Sequence, residues 1–242
     1  MTRPTVASRS DWLAARKELL AEEKELTHRL DALAAKRREL PMVAVDKEYV
    51  FEGEHGKATL ADLFEGRRQL ILYHMMWRWD LDAGCPSCAL MLDNVNHIEH
   101  LRHKNTSFVA VSRGPWDNLA KYRARMGWTF PMYSSHGSDF NYDFHVTMDE
   151  SVAPVEYNYR TKAELIAKGE PWFTEGEQPG TSVFWRDDDD RVFHTYSSYA
   201  RGGDILINTH NYLDLTPLGR QGHVGEAVHH DRYDEPTESH CH

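Results

Sequence analysis

Two of the three cysteines in this 242-residue chain stand three positions apart, in Ala83-Gly84-Cys85-Pro86-Ser87-Cys88. Thiols at that spacing suit dithiol redox chemistry when they lie at the mouth of a helix. The unpaired N–H groups and positive dipole end found there stabilise a thiolate. The first thiol's pKa then falls toward neutrality, which makes Cys85 the attacking nucleophile. Cys88, one turn on, can close a disulfide or resolve a mixed one. The flanking sequence predicts that setting. Gln69-Leu70-Ile71-Leu72-Tyr73-His74-Met75-Met76 reads as a buried strand, and a helical pattern runs over 85–103.

Two blander readings compete. A structural zinc site needs a second ligand pair. Cys241 lies in the last two residues, and His97 and His100 follow Cys88 on the same predicted helix. Roughly 13 Å of helix would separate them from Cys88, too far to share one ion. Two inert buried thiols would leave Gly84 and Pro86 without a role.

The elements that position the thiols belong to one sizeable domain. The chain is 40% hydrophobic with a formal net charge of −10. An acidic balance without a basic patch argues against nucleic acid as the main partner. No apolar run approaches the roughly 20 residues of a membrane span, and the N-terminus leads into no signal-like apolar segment. Three cysteines fit a reducing, cytoplasmic compartment.

Three regions are expected: an N-terminal helical arm over 1–40, a main domain over 41–220 and a mobile histidine-rich tail over 221–242. In the arm, Ser8 and Asp11 make a capping box. Trp12, Leu19, Leu26, Leu33 and Leu40 recur every seven residues on an otherwise charged helix. That stripe must lie against the protein's own body or a second copy in a homodimer. In the main domain the strand at 69–74, the thiol helix, a strand at 105–111 and a helix at 116–126 form a βαβ unit with a parallel pair. Residues 130–135 read as strand-like, 136–144 as a structured loop, and 145–180 as an irregular insertion. Residues 181–185 and 192–196 then form a hairpin across an acidic turn, Arg186-Asp187-Asp188-Asp189-Asp190-Arg191. The turn lacks the alternating ligands and glycine of a calcium loop. Residues 203–211 read as a closing helix. The last 20 residues hold five of the 15 histidines, which would bind metal only adventitiously.

This order of elements resembles a thioredoxin fold: α/β, with a central mixed sheet flanked by helices. More narrowly, the chain is similar to the thioredoxin-like family filed as domain of unknown function 899, whose members are labelled predicted dithiol-disulfide oxidoreductases. The matching stretches are the thiol motif, Phe108-Val109-Ala110-Val111-Ser112-Arg113, Met126-Gly127-Trp128-Thr129-Phe130-Pro131 and Gly137-Ser138-Asp139-Phe140-Asn141-Tyr142-Asp143-Phe144. Further matches are Val192-Phe193-His194-Thr195-Tyr196-Ser197, Tyr199-Ala200-Arg201-Gly202 and Tyr212-Leu213-Asp214-Leu215-Thr216-Pro217. They run to about Arg220, with the tail outside the pattern.

The resemblance implies a thiol–disulfide oxidoreductase acting on a small-molecule or protein thiol or disulfide, with Cys85 attacking, Cys88 resolving and no required cofactor. A peroxidase variant would use the same Cys85 thiolate with Arg113 as charge partner. Trp77, Trp79, Arg113 and Trp128 would line the substrate groove. Asp139, Tyr142, Tyr196, Tyr199 and Arg201 fall in the matching motifs, to line the site or to serve packing. Thioredoxins also place a cis-proline directly before their third core strand, facing the disulfide; here Pro179 stands about one residue early, a departure from that pattern. Pro86 directly after Cys85 departs from the thioredoxin motif and leaves room for a metal. Copper-handling relatives of that fold use two thiols and a distant histidine, and soft thiolates with imidazole suit copper, then zinc. Here His74 or His136 would join Cys85 and Cys88, in a carrier or a copper-dependent oxidase. A third reading is an assembly protein that uses the long helix and carries vestigial thiols.

Overall fold

The computed structural model describes residues 4–234. Helix α1 (Arg9–Arg38) begins where the capping signal places it, with Ser8 Oγ accepting from the Asp11 amide at 3.1 Å. Lys36, Arg37 and Arg38 occupy its last turn, against the negative end of the dipole. The described residues bury none of its side chains, so Trp12, Leu19, Leu26 and Leu33 stay exposed. Arg37 lies over the Tyr196 ring at 5.6 Å and ties the end of the helix to the body.

Eight strands form one mixed sheet. In spatial order they are β1 (Val43–Ala44), β8 (Val192–Tyr199), β7 (Gly180–Arg186), β4 (Gln69–His74), β5 (Thr106–Ser112), β6 (Met132–Ser134), β2 (Val50–Gly53) and β3 (Gly56–Thr59). Strands β4 and β5 are parallel, from Gln69 opposite Thr106 to His74 opposite Val111. Strand β7 runs antiparallel to both β4 and β8. The strand leading to the thiols thus lies between its parallel partner and the hairpin, which is the thioredoxin-like arrangement. Helices α2 (Pro86–Asp93) and α3 (Glu99–His103) connect β4 to β5. Helix α4 (Trp116–Arg125) leads toward β6 and stops at Gly127, whose φ of +66° a side chain would strain.

Side chains alternate across the sheet. Ile71 and Tyr73 pack with Phe108, Ala110, Leu119, Tyr122 and both thiols under α2 and α4. Leu70 and Leu72 face the other way, into Phe51, Phe64, Phe140 and Phe184. Among the described residues no helix is long and apolar enough to cross a membrane.

Within the main domain the structure departs from the sequence expectations in four places. The helix expected over 85–103 is broken, because the Asn94 amide turns back onto the Leu90 carbonyl at 2.6 Å and its oxygen receives the Thr209 amide. His97, at φ +49°, begins the turn into α3. The loop at 136–144 contains α5 (Phe140–Asp143). Residues 145–180 are more regular than expected. They pair Thr147–Met148 with Gly176–Glu177 and Glu156–Tyr157 with Arg160–Thr161, and carry α6 (Lys162–Ala167) behind a Thr161–Glu164 capping box. A small core of Val146, Met148, Val155, Tyr157, Leu165 and Tyr199 holds this segment together. The closing helix is a 3₁₀ turn, Ala200–Leu206, followed by α7 (Asn208–Leu213).

The expected mobile tail also changes character. Val224 packs on the thiol core and His229 is buried, and Asp231 pairs with Arg125 at 2.8 Å. His240, Cys241 and His242 lie outside the described residues.

Candidate active site

Cys85 is the N-cap of α2, and Pro86 fills the first helical position, where its fixed φ suits the turn and its missing N–H costs nothing. The Cys85 amide donates to the Met76 carbonyl at 3.0 Å, which pins the thiol loop to the end of β4. The Ser87 hydroxyl lies 3.1 Å from Cys85 Sγ and can donate to a thiolate. The Tyr73 hydroxyl and the Met76 amide lie close enough to Cys88 to favour its thiolate, and the neighbouring Cys85 opposes them. Both residues are free thiols, 2% and 1% exposed.

The two thiols are not equivalent. Burial pushes the Cys88 thiol well above its ordinary range and Cys85 adds to this, while Tyr73 and Met76 pull it back. Burial and the nearby Cys88 hold the Tyr73 hydroxyl protonated, so it remains a donor. Cys88 therefore gains its thiolate only with local help. Tyr73→Phe is expected to slow closure of the Cys85–Cys88 disulfide about ten-fold, the worth of one hydrogen bond to a charged acceptor. Stopped-flow tryptophan fluorescence would follow that step, and an unchanged rate would remove Tyr73 from it.

Both thiols line a cleft of ≈ 1610 Å³ with Met76, Trp77, Trp79, Trp172 and Pro179. The Trp77 ring stands edge-on to Tyr122 and lies so close to Gly114 that a Cβ there would sit 2.5 Å from it. Trp79 is half exposed on the rim. Pro179 directly precedes β7, and its carbonyl accepts from the Tyr157 hydroxyl at 2.7 Å. Arg113 bonds Glu177 Oε1 at 3.0 Å and lies over the Tyr142 ring at 5.0 Å. Burial raises the Glu177 carboxyl's pKa, against the pull of Arg113, Thr147 and Asn141.

Of the sequence-predicted groove residues, Trp77, Trp79 and Arg113 line the cleft, as does Arg201, paired with Asp204. Tyr142 reaches it only by supporting Arg113. Trp128 is a core residue: its indole N–H donates to Asp93 at 2.8 Å and its ring stacks on Phe130. Asp139 pairs with Lys47 at 2.9 Å, away from the cleft lining. Tyr199 is buried, donating to the Phe144 carbonyl, and Tyr196 lies under Arg37.

The alternative metal ligands do not converge on the thiols. Neighbouring strand residues face opposite ways, so with Tyr73 on the thiols His74 points through the far face. Its Nε2 lies 2.8 Å from Ser182 Oγ and its ring stacks on Phe140 and Phe144. His136 Nδ1 lies 3.2 Å from the Arg113 carbonyl. Among the described residues no three His, Cys, Asp or Glu side chains group as metal ligands, so the donor set does not fit the two-thiol, one-histidine centre.

Sequence reasoning missed Tyr73, Glu177 and His229. Strand alternation could have found Tyr73, since β4 lies within the apolar run that marked it. Nothing in the local sequence marks the other two.

Comparison with solved structures finds limited likeness. Peroxidoxin BcpB from Mycobacterium tuberculosis is 14% identical over 70% of this chain and 94% of its own, with a TM-score of 0.44. A cysteine-to-serine mutant of Xylella fastidiosa PrxQ is 12% identical over 72% and 96%, with a TM-score of 0.43. The mitochondrial 2-Cys peroxiredoxin from Plasmodium falciparum is 13% identical over 73% and 96%, with a TM-score of 0.40. No curated protein matches the chain. The model of one family does, over residues 1–235, which takes in the packed C-terminal segment as well as the thiol motif, and the chain belongs to that family, described as bacterial protein of unknown function (DUF899).

Proposed function

We propose that the chain is a thiol–disulfide oxidoreductase. The observation that carries this reading is a reduced dithiol at the N-terminus of α2, facing an open cleft, with unequal surroundings for its two sulfurs. The Cys85 thiolate attacks one sulfur of a substrate disulfide, forming a mixed disulfide and releasing the other sulfur as a thiolate. Cys88, losing its proton, attacks Cys85 Sγ; the internal disulfide forms and the second substrate thiolate leaves. The substrate gains two electrons, which an external dithiol returns to the protein. The uncovered leucine stripe of α1 is part of the proposal, pairing with that of a second copy in a homodimer.

Cleft charge supports a substrate preference. Its lining carries seven carboxylates and five Lys or Arg cations. Each cation already has an acidic partner: Arg78–Asp80, Arg113–Glu177, Lys162–Glu150, Lys168–Glu170 and Arg201–Asp204. Among the described residues Asp149 and Glu175 have no such cation, so the cleft has an acidic surplus. Cystamine, a dication, is expected to be reduced with a kcat/KM about ten-fold above that of anionic oxidised glutathione, each normalised to its rate with free dithiothreitol, and salt should narrow the gap. Turnover of neither disulfide would overturn the oxidoreductase reading. Turnover of both at equal normalised rates would overturn only the charge preference.

A further inference from the structure

We propose that His229 is a positioning residue for Cys85, latching the C-terminal strap formed by residues 223–232 onto the loop that presents the thiol. The role rests on the reading of Cys85 as the nucleophile. His229 Nε2 lies 2.8 Å from the Gly84 carbonyl oxygen, one residue before Cys85, and Nδ1 lies 3.0 Å from Arg125 Nη2. A guanidinium only donates, so Nδ1 accepts and Nε2 carries the proton given to Gly84. The arrangement therefore requires a neutral imidazole in one tautomer.

Arg125 is itself fixed by Asp231, at 2.8 and 3.0 Å, so the latch closes a circuit between α4 and the strap. The strap grips both ends of the dithiol helix. His230 Nδ1 lies 2.9 Å from Asp93 at its C-terminal end, and Val224 packs on the thiol core between. Gly84 cannot shift away, since even a Cβ there would lie 2.6 Å from the Tyr122 ring and 2.8 Å from the Met75 sulfur. Held from both sides, Gly84 fixes where Cys85 begins α2.

The charged and titratable groups facing the ring are Arg125 and Tyr122 from α4, and Asp231 and Arg232 from the strap. Burial, opposed by the Gly84 hydrogen bond and assisted by Arg125, holds the imidazole pKa below its ordinary value. Protonation would turn an N–H toward the guanidinium and open the latch.

The test is the alkylation rate of Cys85 by iodoacetamide in the full chain, read at the Cys85 peptide by mass spectrometry. His229→Leu is expected to raise the rate at neutral pH about ten-fold, the equivalent of one buried hydrogen bond. His229→Gln, whose amide supplies one acceptor and one donor, should stay within about two-fold of wild type. The wild-type rate, corrected for thiolate fraction, should rise as the pH is lowered below the ordinary histidine range, and that of His229→Gln should not. A His229→Leu rate equal to wild type, or a His229→Gln rate equal to that of His229→Leu, overturns the proposal. Should His229→Leu lose its near-ultraviolet circular dichroism, Asp231→Asn removes the ion pair that steadies Arg125 without touching the ring, and its rate must then rise. Alkylation reads the thiol without turnover, so failure of the latch is distinguishable from failure of the oxidoreductase reading, which would show as inactive wild-type protein.

Discussion

Cys85→Ser protein is expected to lose disulfide turnover by about a thousand-fold or more, because a serine hydroxyl at neutral pH supplies almost no oxyanion and cannot form the mixed disulfide. Cys88→Ser should behave differently. It keeps the attacking thiol at the mouth of α2 and lacks the resolving one, so incubation with cystamine should trap half of the disulfide on Cys85. Intact mass spectrometry would show the added mass, and reductant would remove it. The wild-type protein should instead lose two hydrogens and keep no adduct. Light scattering should give both variants the wild-type size, since the thiols are buried in the body and the α1 stripe is not. Full activity in Cys85→Ser, or no adduct in Cys88→Ser, would refute the assignment of roles.

Acid should destabilise the protein through a residue with no part in the thiol chemistry. His74 is 1% exposed, and burial, with a smaller contribution from His194, lowers its pKa from 6.5 to about 3. The hydrogen bonds explain why it stays neutral. His194 Nε2 lies against the Tyr196 carbonyl and Ser197 Oγ, so it must carry the proton. Ser197 Oγ lies 2.8 Å from Ser182 Oγ, which lies 2.8 Å from His74 Nε2. A doubly protonated His74 would also carry an N–H on Nδ1, which is buried with no hydrogen-bond partner among the described residues. The unfolded chain binds that proton near pH 6.5 and the folded chain does not until near pH 3. The stabilisation is complete above the unfolded pKa and drains away as the pH falls across that window, by roughly 5 kcal/mol. Burial lowers the His194 pKa as well, and its contribution has the same sign. Urea unfolding at several pH values would measure this. Wild type should lose stability relative to His74→Gln between about pH 6 and 3, whereas parallel curves would mean that His74 is protonated in the fold.

The relation between these two residues shows what was legible in the sequence. The strand Gln69–His74 starts where its apolar run starts and ends two residues before it, because a buried strand is written in consecutive residues. Ser8 and Asp11 begin α1, and Pro86 begins α2 on Cys85, because capping and the proline ring act within a few bonds. The parallel pair and the hairpin also follow from order and length alone. His74 cannot be placed from sequence alone, because a place beside the thiol loop in sequence does not fix a place beside it in space. One step along a strand reverses the face, and which face the dithiol helix covers is settled by how α2 and α4 pack.

By itself the sequence determined the dithiol, its helix and the strand that delivers it, which depend on short-range preferences, while the order of the sheet was implied only by a family resemblance. The tertiary structure alone decided the surroundings that make the two sulfurs unequal. Tyr73 was chosen by packing over His74, Glu177 reaches Arg113 across 64 positions, and His229 reaches Gly84 across 145. Contacts at such separations leave no local periodicity. They form because burying an arginine, a glutamate or an imidazole is tolerable only when each finds a partner, and the folded sheet determines which partners are in reach.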